Sequence, residues 1–212
     1  MTTGRLITLE GGEGAGKSTV MDAVRERLAS RGIEVVVTRE PGGTVLGETI
    51  RAIVLDPSRR NLSAESELLL MFAARAQLVR ELIRPALDAG QWVLSDRFTD
   101  ASYAYQGAGR GQPDARIEDL ERWAAGIKPD LTLLLDLPIA QGLARAGGRG
   151  EADRIELESR DFFERVRAAY RARAAADPRR FRVIDASQPL DAVLADVQGV
   201  LYEWHRNEVD KA

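Results

Sequence analysis

The sequence predicts an α/β fold in which helices cover a parallel sheet. Two observations lead to this fold class. Short apolar runs alternate with longer segments of helical pattern, and the first apolar run leads directly into a glycine-rich loop followed by a helix. The 212 residues suffice for one sizeable core and are too few for two large ones. We therefore expect a single domain over residues 1–212.

Five short apolar runs are the strand candidates. They are rich in leucine and β-branched residues, which is typical of strands buried on both faces of a sheet. In chain order they are Leu6–Glu10, Val35–Thr38, Trp92–Asp96, Leu131–Asp136 and Phe181–Asp185. A five-stranded parallel sheet follows from this pattern.

Helical patterns fill the intervals between these runs. Gly32 is placed to close the first helix, Ser63 to cap the start of a long one, and Pro85 to kink that helix near its end. The predicted helices are Lys17–Arg31, Ser63 to about Ala89, Asp114–Ala125, Ile139–Ala146, Glu156–Ala176 and Leu190–His205. Three glycines in residues 147–151 predict a mobile loop after the fourth strand.

Composition excludes several kinds of site. The chain has no cysteine, which excludes disulfides and thiolate catalysis, and its single histidine, His205, excludes a multi-histidine metal site. The net charge of −3 argues against general nucleic-acid binding. No apolar run approaches the ~20 residues of a membrane span, and the first residues lack a signal-peptide pattern. We expect a cytoplasmic protein with neither a nucleic-acid nor a membrane partner.

The glycine-rich loop carries the strongest chemical signal. Its residues read G-G-E-G-A-G-K-S and match G-x-x-x-x-G-K-[ST] between a strand and a helix. Such a loop points successive backbone N–H groups at a phosphate, and the helix adds the positive end of its dipole. Lys17 is expected to reach the β- and γ-phosphates of ATP, and Ser18 to ligate Mg²⁺. The predicted ATP-binding residues are Gly11, Gly12, Glu13, Gly14, Ala15, Gly16, Lys17, Ser18 and Thr19.

This loop alone does not separate a kinase from a GTPase or another ATPase. A GTPase needs a base-reading segment of the N-K-x-D type, which the sequence lacks, and a motor or transporter ATPase needs a longer chain. A small kinase that acts on a small phosphate acceptor is therefore favoured.

At this point the sequence resembles the bacterial thymidylate kinases. The matching stretches are Glu10–Thr19, Thr38–Thr44, Phe72–Arg75, Asp96–Phe98, Ser102–Gly107 and the Arg145–Arg154 region. The resemblance implies a three-layer P-loop nucleoside monophosphate kinase fold. It also implies a homodimer that transfers the γ-phosphoryl group of ATP to dTMP, with Mg²⁺, giving dTDP for dTTP biosynthesis.

The resemblance assigns roles to residues near the phosphates. Asp96 ends the third strand beside the phosphate loop, where a carboxylate can hold Mg²⁺. Arg97 is similar to the arginine that grips the acceptor monophosphate, and Glu13 to the acidic residue that accepts the sugar 3′-hydroxyl. Arg51 resembles a further phosphate contact, although a solvated helix arginine is an equal alternative. The acceptor site implied near these phosphates also includes Glu40 and Pro41.

A second group would recognise the nucleoside. Arg75 is similar to the arginine that hydrogen-bonds the thymine ring. The family's stacking phenylalanine usually lies four residues earlier, where this chain has Met71, whereas Phe72 lies three residues earlier. Both flank Arg75 on a helix, so either side chain could meet the base, and Phe72 could instead be a core residue. The resemblance further assigns the pyrimidine edge to Ser102 and Gln106, and the crowding of the sugar C2′ position to Tyr105, for which a core position is the alternative.

The charge that assists transfer must come from outside the phosphate loop, which contains no arginine. Arg145, Arg149 and Arg154 resemble the arginines that some family members supply from a closing lid, here about residues 145–154. Glycines on both sides of Arg149 would let it open and close, so it is the first candidate for the catalytic arginine.

Three alternative functions differ in what they would do with nucleotides. Another nucleoside monophosphate kinase or a deoxynucleoside kinase would differ only in its acceptor. A nucleotide-dependent binding switch would hydrolyse nucleotide without an acceptor, and an interaction module would retain the loop without chemistry. The long helix after Ser63 is the candidate dimer surface, because the apolar residues 68–71 surround it, but burial within one protomer would explain the same pattern.

Overall fold

Five parallel strands form a single sheet, as the sequence predicts. The structure is a computed structural model that describes residues 4–148 and 151–209. The strands are β1 (Leu6–Gly11), β2 (Val35–Arg39), β3 (Trp92–Asp96), β4 (Leu131–Asp136) and β5 (Phe181–Asp185). Their order in the sheet is β2-β3-β1-β4-β5. Strand β1 is central, and its neighbours β3 and β4 lie parallel to it on either side.

Helices pack on both faces of this sheet. They are α1 (Lys17–Ala29), α2 (Val45–Leu55), α3 (Ala64–Leu78), α4 (Arg84–Asp88), α5 (Thr99–Ser102), α6 (Asp114–Leu120), α7 (Ile139–Ala146), α8 (Arg160–Ala176) and α9 (Leu190–Val209). Helices α1 and α9 bury their apolar side chains against one face of the sheet, and α8 buries its aromatic residues in a second cluster. In the described part of the chain, no helix is long and apolar enough to cross a membrane.

The predicted end of the first helix is confirmed by its hydrogen bonds. Gly32 has a φ of 72°, its N–H donates to the Ala29 carbonyl, and the Ile33 N–H donates to the Leu28 carbonyl. This is the glycine-closed helix end that the position of Gly32 predicts. The regular helix ends at Ala29, two residues earlier than expected.

The long helix predicted from Ser63 to about Ala89 is present as an unbroken helical stretch over residues 64–88, but it is not a regular α-helix throughout. Ser63 caps it as expected, since its hydroxyl accepts the N–H of Ser66 at 3.1 Å. Between α3 and α4, however, residues Val79–Ile83 form a π-helical segment. Pro85 has no N–H to offer the carbonyl four residues earlier, so the widened turn before it accommodates the lost bond.

Two further sequence expectations need correction. Helix α2 was missed, although Gly47, Ile50 and Val54 mark its buried face at helical spacing and Thr44 caps it. The helix expected from Glu156 begins only at Arg160, because the Ser159 side chain caps it by accepting the Phe162 N–H. The residues before Ser159 form turns instead of helix.

Some apolar side chains of α3 are buried within the protomer, and one is exposed on its surface. Leu68 and Met71 are buried within this chain, whereas Leu69 is 58% exposed. Burial within the protomer therefore accounts for most of the pattern that suggested a dimer surface, and Leu69 is the apolar residue that it leaves uncovered.

Candidate active site

The glycine-rich loop connects the end of β1 to the start of α1 and backs onto α7. Gly14 has a φ of 71°, and a Cβ atom added there would lie 2.1 Å from the Gly142 carbonyl oxygen of α7. Gly16 has a φ of 87°, and a Cβ there would meet no atom within 4 Å. The loop is therefore packed on one side and open on the other, which leaves its backbone N–H groups room for an anion.

Lys17 lies across the mouth of this loop. Its Nζ donates to the carbonyl oxygens of Gly11 and Gly12, each at 3.2 Å. Burial, with the nearby Arg97 cation as a second cause, lowers the pKa of Lys17. Bound phosphate would supply the negative charge that favours the ammonium form.

Arg97 joins the phosphate loop to the neighbouring cavity. It has a φ of 68°, a conformation that a non-glycine residue adopts only when its surroundings impose it. Its Nη1 donates to the Gly11 carbonyl at 3.0 Å and contacts the Tyr170 hydroxyl at 3.3 Å, and its Nη2 donates to Glu13 Oε1 at 2.7 Å. The Tyr105 hydroxyl donates to the same Glu13 oxygen at 2.9 Å.

Glu10, which the sequence analysis left without a role, supports this arginine from below. Its carboxyl is fully buried, accepts the Phe98 N–H at 2.7 Å and accepts the Tyr170 hydroxyl at 2.7 Å. Burial, reinforced by the charge of Asp100, raises the pKa of Glu10 to about 8. Glu10 thus binds Phe98, which follows Arg97 in the chain, and Tyr170, whose hydroxyl contacts the Arg97 guanidinium. Both bonds help to fix the position of Arg97. A charged residue ending an apolar strand was the signal that could have revealed it.

Asp96 meets the requirement for a cation ligand beside the loop. It ends β3 in register with Leu9 of β1, and its Oδ1 atom is buried without a hydrogen-bond partner. Ser18 lies in the first turn of α1, and its side chain is exposed. Within residues 4–148 and 151–209, no group of three or more acidic or histidine side chains could hold a metal by itself. These residues fit Mg²⁺, which takes one or two protein ligands and otherwise phosphate oxygens and water.

A cavity of about 110 Å³ adjoins the loop. It is lined by Glu13 of the loop and by Arg97, which donates to the Gly11 carbonyl. The lining residues are Glu13, Glu40, Pro41, Arg51, Val54, Leu55, Met71, Arg97, Ala101, Tyr105, Gln106, Asp153 and Ile155. Eight of the residues predicted for the acceptor site are therefore together in one pocket.

Met71 lines this cavity, whereas Phe72 packs with Leu68, Tyr103 and Ile117 in the core. The structure thus brings Met71 to the pocket surface, and the core position that the sequence allowed for Phe72 is the one observed. Phe72 still acts on the site indirectly, because the Arg75 guanidinium lies 4.5 Å from the centre of its ring.

Arg75 and Ser102 lie beneath the pocket instead of on its surface. Arg75 is 1% exposed, and its Nε donates to Glu40 Oε2 at 2.8 Å while its Nη1 donates to the Ser102 hydroxyl at 3.0 Å. A further bond runs from Nη2 to the Phe98 carbonyl at 3.0 Å. Glu40 keeps its second oxygen, Oε1, buried and without a partner, and burial raises its pKa.

Arg51 is held at the pocket wall. Its Nη1 donates to the Pro41 carbonyl at 3.0 Å, and the side chain is only partly exposed. Burial, followed by the repulsion of Arg39, lowers its pKa. Arg51 is therefore a partly buried helix residue that lines the cavity and not a fully solvated one.

Two of the three arginines predicted for a lid, Arg145 and Arg154, already have hydrogen-bond partners elsewhere in the protein. Arg145, in the last turn of α7, donates to the Ala186 carbonyl at 3.1 Å. Arg154 is 6% exposed and bonds to Glu67 at 2.6 Å, so it is a buried residue of the acceptor side. Arg149 lies outside the described residues.

The sequence analysis also missed a group of residues beneath and around the pocket: Val54, Leu55, Glu67, Ala101, Asp153, Ile155 and Tyr170. Glu67 had a signal, since it is an acidic residue among the apolar positions of α3. The others are ordinary residues of helices and turns, and only the folding of α2 and α8 toward the loop brings them near it.

Comparison with known proteins gives consistent results. A family model described as thymidylate kinase matches residues 9–197. The chain is 58% identical over 203 residues to a thymidylate kinase of Alkalilimnicola ehrlichii, covering 95% of this chain and 94% of that protein. It is 56% identical over 200 residues to one of Ectopseudomonas mendocina, covering 94% and 95% respectively. The crystal structure of thymidylate kinase from Ehrlichia chaffeensis matches with a TM-score of 0.77 and 32% identity, covering 94% of this chain and 99% of that chain.

Proposed function

The chain belongs to the thymidylate kinase family, and from this premise we propose which of its residues bind the substrates and promote the reaction. It has the P-loop nucleoside monophosphate kinase fold and is an ATP-dependent kinase that phosphorylates dTMP to dTDP. The observation that supports our residue assignment is that the acceptor cavity is lined both by Glu13 of the phosphate loop and by Arg97, which is bonded to that loop. A donor in the loop and an acceptor in the cavity would meet at this pair.

The donor side is proposed to bind ATP through the loop, residues Gly11–Ser18, and Thr19. Lys17 would hold the β- and γ-phosphates, replacing its present contacts with the Gly11 and Gly12 carbonyls. Mg²⁺, held by Ser18 and Asp96, would supply neutralising charge at the phosphate oxygens. The unpaired Asp96 Oδ1 supports its part in that site.

The acceptor side is proposed to bind dTMP in the cavity. Arg97 and Arg51 would bind the monophosphate, since both present cationic groups at the pocket wall. Tyr105 and Met71 would contact the nucleoside from the sides. The proposed acceptor site also includes Glu13, Glu40, Pro41 and Gln106, which line the cavity. Phe72, Arg75 and Ser102 would complete the site from beneath it.

Catalysis is proposed to depend on position and charge. The acceptor monophosphate is already an anion near neutral pH, so a general base has little to contribute. Lys17 and Arg97 would align the two phosphates, and a lid of about residues 145–154, chiefly Arg149, would add positive charge on closing. Closure would also exclude water, which limits hydrolysis of ATP. Arg145 and Arg154 are weaker candidates, because each already bonds elsewhere.

An acceptor panel tests this function. Purified protein with Mg²⁺ and ATP is offered dTMP, dUMP, UMP, CMP, AMP, GMP or thymidine, and ADP formation is followed in a coupled assay. We expect dTMP to be the best acceptor and very slow ATP consumption without one. Rapid hydrolysis without an acceptor would instead indicate a nucleotide-dependent switch.

Three further proposals concern the whole protein. We propose that residues 1–212 act as one kinase domain and that it works in the cytoplasm, where ATP and nucleoside monophosphates are available. We also propose a homodimer, supported by the exposed apolar side chain of Leu69 on α3. Light scattering coupled to size-exclusion chromatography tests the dimer, and a mass near the 23.3 kDa of one chain would contradict it.

A further inference from the structure

Gln106 enters the acceptor pocket with only one end of its amide bonded. The side chain is 3% exposed, and its Nε2 donates to Glu67 Oε1 at 2.9 Å. Its Oε1 is buried and has no hydrogen-bond partner. A buried acceptor without a partner is costly, so this oxygen is suited to a donor brought by a ligand.

Glu67 determines which end of the amide faces the pocket. It is fully buried, and two guanidinium groups bind it: Arg154 Nη2 at 2.6 Å and Arg110 Nε at 3.1 Å. A carboxylate neutralised in this way only accepts hydrogen bonds. Turning the Gln106 amide over would place its oxygen against a carboxylate oxygen, so the NH₂ group must face Glu67.

The position of Glu67 is itself fixed by the wall of the pocket. Arg154 donates from Nε to the Val54 carbonyl at 2.6 Å, and its backbone N–H donates to the Leu55 carbonyl at 3.0 Å. Arg110 is fixed on its other side by Glu158 at 2.5 Å. The orientation of Gln106 is therefore set by a network that joins α2, α3 and the segment before α8.

We infer that Glu67 is a specificity-determining positioning residue, which makes Gln106 present only an acceptor to the nucleobase. This inference rests on the proposed function, in which dTMP occupies the cavity. Thymine carries one N–H donor on its ring edge, at N3. This group would donate a hydrogen bond to Gln106 Oε1, which otherwise has no partner. Cytosine carries a lone pair at N3, which would face the lone pairs of that oxygen. A site built around one hydrogen bond strongly rejects an analogue that cannot make it.

Replacing Glu67 with glutamine tests the inference, because the new amide can donate as well as accept and lets Gln106 turn over. The two substrates are dTMP and 5-methyl-dCMP, which both carry the methyl group and differ at N3 and C4. We expect wild-type protein to prefer dTMP strongly in kcat/KM. In E67Q the ratio of kcat/KM for dTMP to kcat/KM for 5-methyl-dCMP should fall by about 10-fold or more, mainly through changes in the KM values. Glu67→Asp retains an acceptor-only group and should preserve more of the preference.

A purely structural role gives a different result. If E67Q lowers kcat/KM equally for both substrates, the preference is unchanged and the inference is overturned. Gln106→Leu provides a second test that does not require E67Q to fold, since it removes the acceptor itself. If folded Q106L prefers dTMP over 5-methyl-dCMP as strongly as wild type does, the inference is also overturned. A weaker preference for dTMP in Q106L would support it.

Binding separates this inference from the proposed function. Calorimetric titration with dTMP and with 5-methyl-dCMP gives a ratio of Kd values that does not depend on phosphoryl transfer. If wild-type protein binds dTMP selectively and E67Q narrows the Kd ratio, but dTMP is never phosphorylated, the function fails while the inference stands. If it phosphorylates dTMP but E67Q leaves the Kd ratio unchanged, only the inference fails.

Discussion

Nη2 of Arg97 lies 2.7 Å from Oε1 of Glu13, so the arginine proposed to hold the acceptor phosphate already has an anionic partner. Both side chains line the cavity and both adjoin the phosphate loop. A bound monophosphate would have to share the guanidinium with this carboxylate. The planar fork of arginine can do so, because it offers several N–H groups in different directions.

Substituting Arg97 with lysine tests that geometry. An ammonium group keeps the charge but cannot bond to the Gly11 carbonyl, Glu13 and a phosphate in the same arrangement. We expect kcat/KM for dTMP to fall roughly 100-fold, the size of effect seen when one preorganised donor is lost. Steady-state kinetics measures the change. The matched control is Arg80→Lys at an exposed position, and a similar small change in both variants would contradict the assignment.

Glu10 predicts a pH dependence of stability. Its pKa is raised from 4.5 to about 8 in the folded protein, chiefly by burial. At this residue the native state therefore binds more protons than the unfolded state between these values, so the contribution of Glu10 to stability is complete below about pH 4.5 and is lost as the pH rises toward 8. The slope would be at most about 1.4 kcal/mol per pH unit.

Glu10→Gln removes this ionisation while keeping an oxygen for the Phe98 N–H. We expect the free energy of unfolding of wild type, relative to the variant, to decrease between pH 5 and pH 8. Urea unfolding at several pH values measures the difference. A constant difference over that range would mean that Glu10 does not titrate there.

The sheet was predictable because its strands are short, apolar and separated by helical patterns, and all five lie where the sequence places them. The phosphate loop was equally accessible, since G-x-x-x-x-G-K-[ST] is a local pattern. Helix α2 escaped prediction because its valines, isoleucines and Gly47 have weak helix propensity, although its buried residues stand at helical spacing.

The partners of buried charges could not be predicted from the sequence. Arg154 lies beside the glycine-rich segment in the chain, which suggested a lid residue, yet it bonds to Glu67, 87 positions away. The same holds for Glu10 and Tyr170, which are 160 positions apart and meet only after folding. Such pairings depend on which helices cross, and no local pattern encodes that.

Two loop glycines should respond differently to alanine. Gly14→Ala would place Cβ 2.1 Å from the Gly142 carbonyl and strain a φ of 71°, so the loop must move away from α7. Gly16→Ala adds only backbone strain, about 1–2 kcal/mol, because its Cβ would meet no atom within 4 Å. We expect G14A to lower Tm clearly more than G16A in thermal unfolding without nucleotide. Equal decreases in Tm would contradict this expectation and would show that the loop can move away from α7 at little cost in stability.

Two substitutions of Tyr105 can separate the effect of its ring from the effect of its hydroxyl. Its ring lines the cavity, and its hydroxyl donates to Glu13. If the ring excludes a 2′-hydroxyl by contact, Tyr105→Phe should retain the preference for dTMP over ribothymidine monophosphate. Tyr105→Ala should reduce that preference about 10-fold or more, within the range that pocket shape provides. An equal loss in both variants would assign discrimination to the hydroxyl and its bond to Glu13.

The lid proposal concentrates on Arg149, since Arg145 and Arg154 are already bonded to Ala186 and Glu67. An arginine that arrives only on closure acts on the transition state and contributes little to binding dTMP. Arg149→Ala should therefore lower kcat by roughly 100-fold or more while changing KM for dTMP by only a few-fold. Arg145→Ala is the matched control, and its kcat should fall less. An unchanged turnover number in R149A, with unchanged affinities for ATP and dTMP, would refute a catalytic role for Arg149.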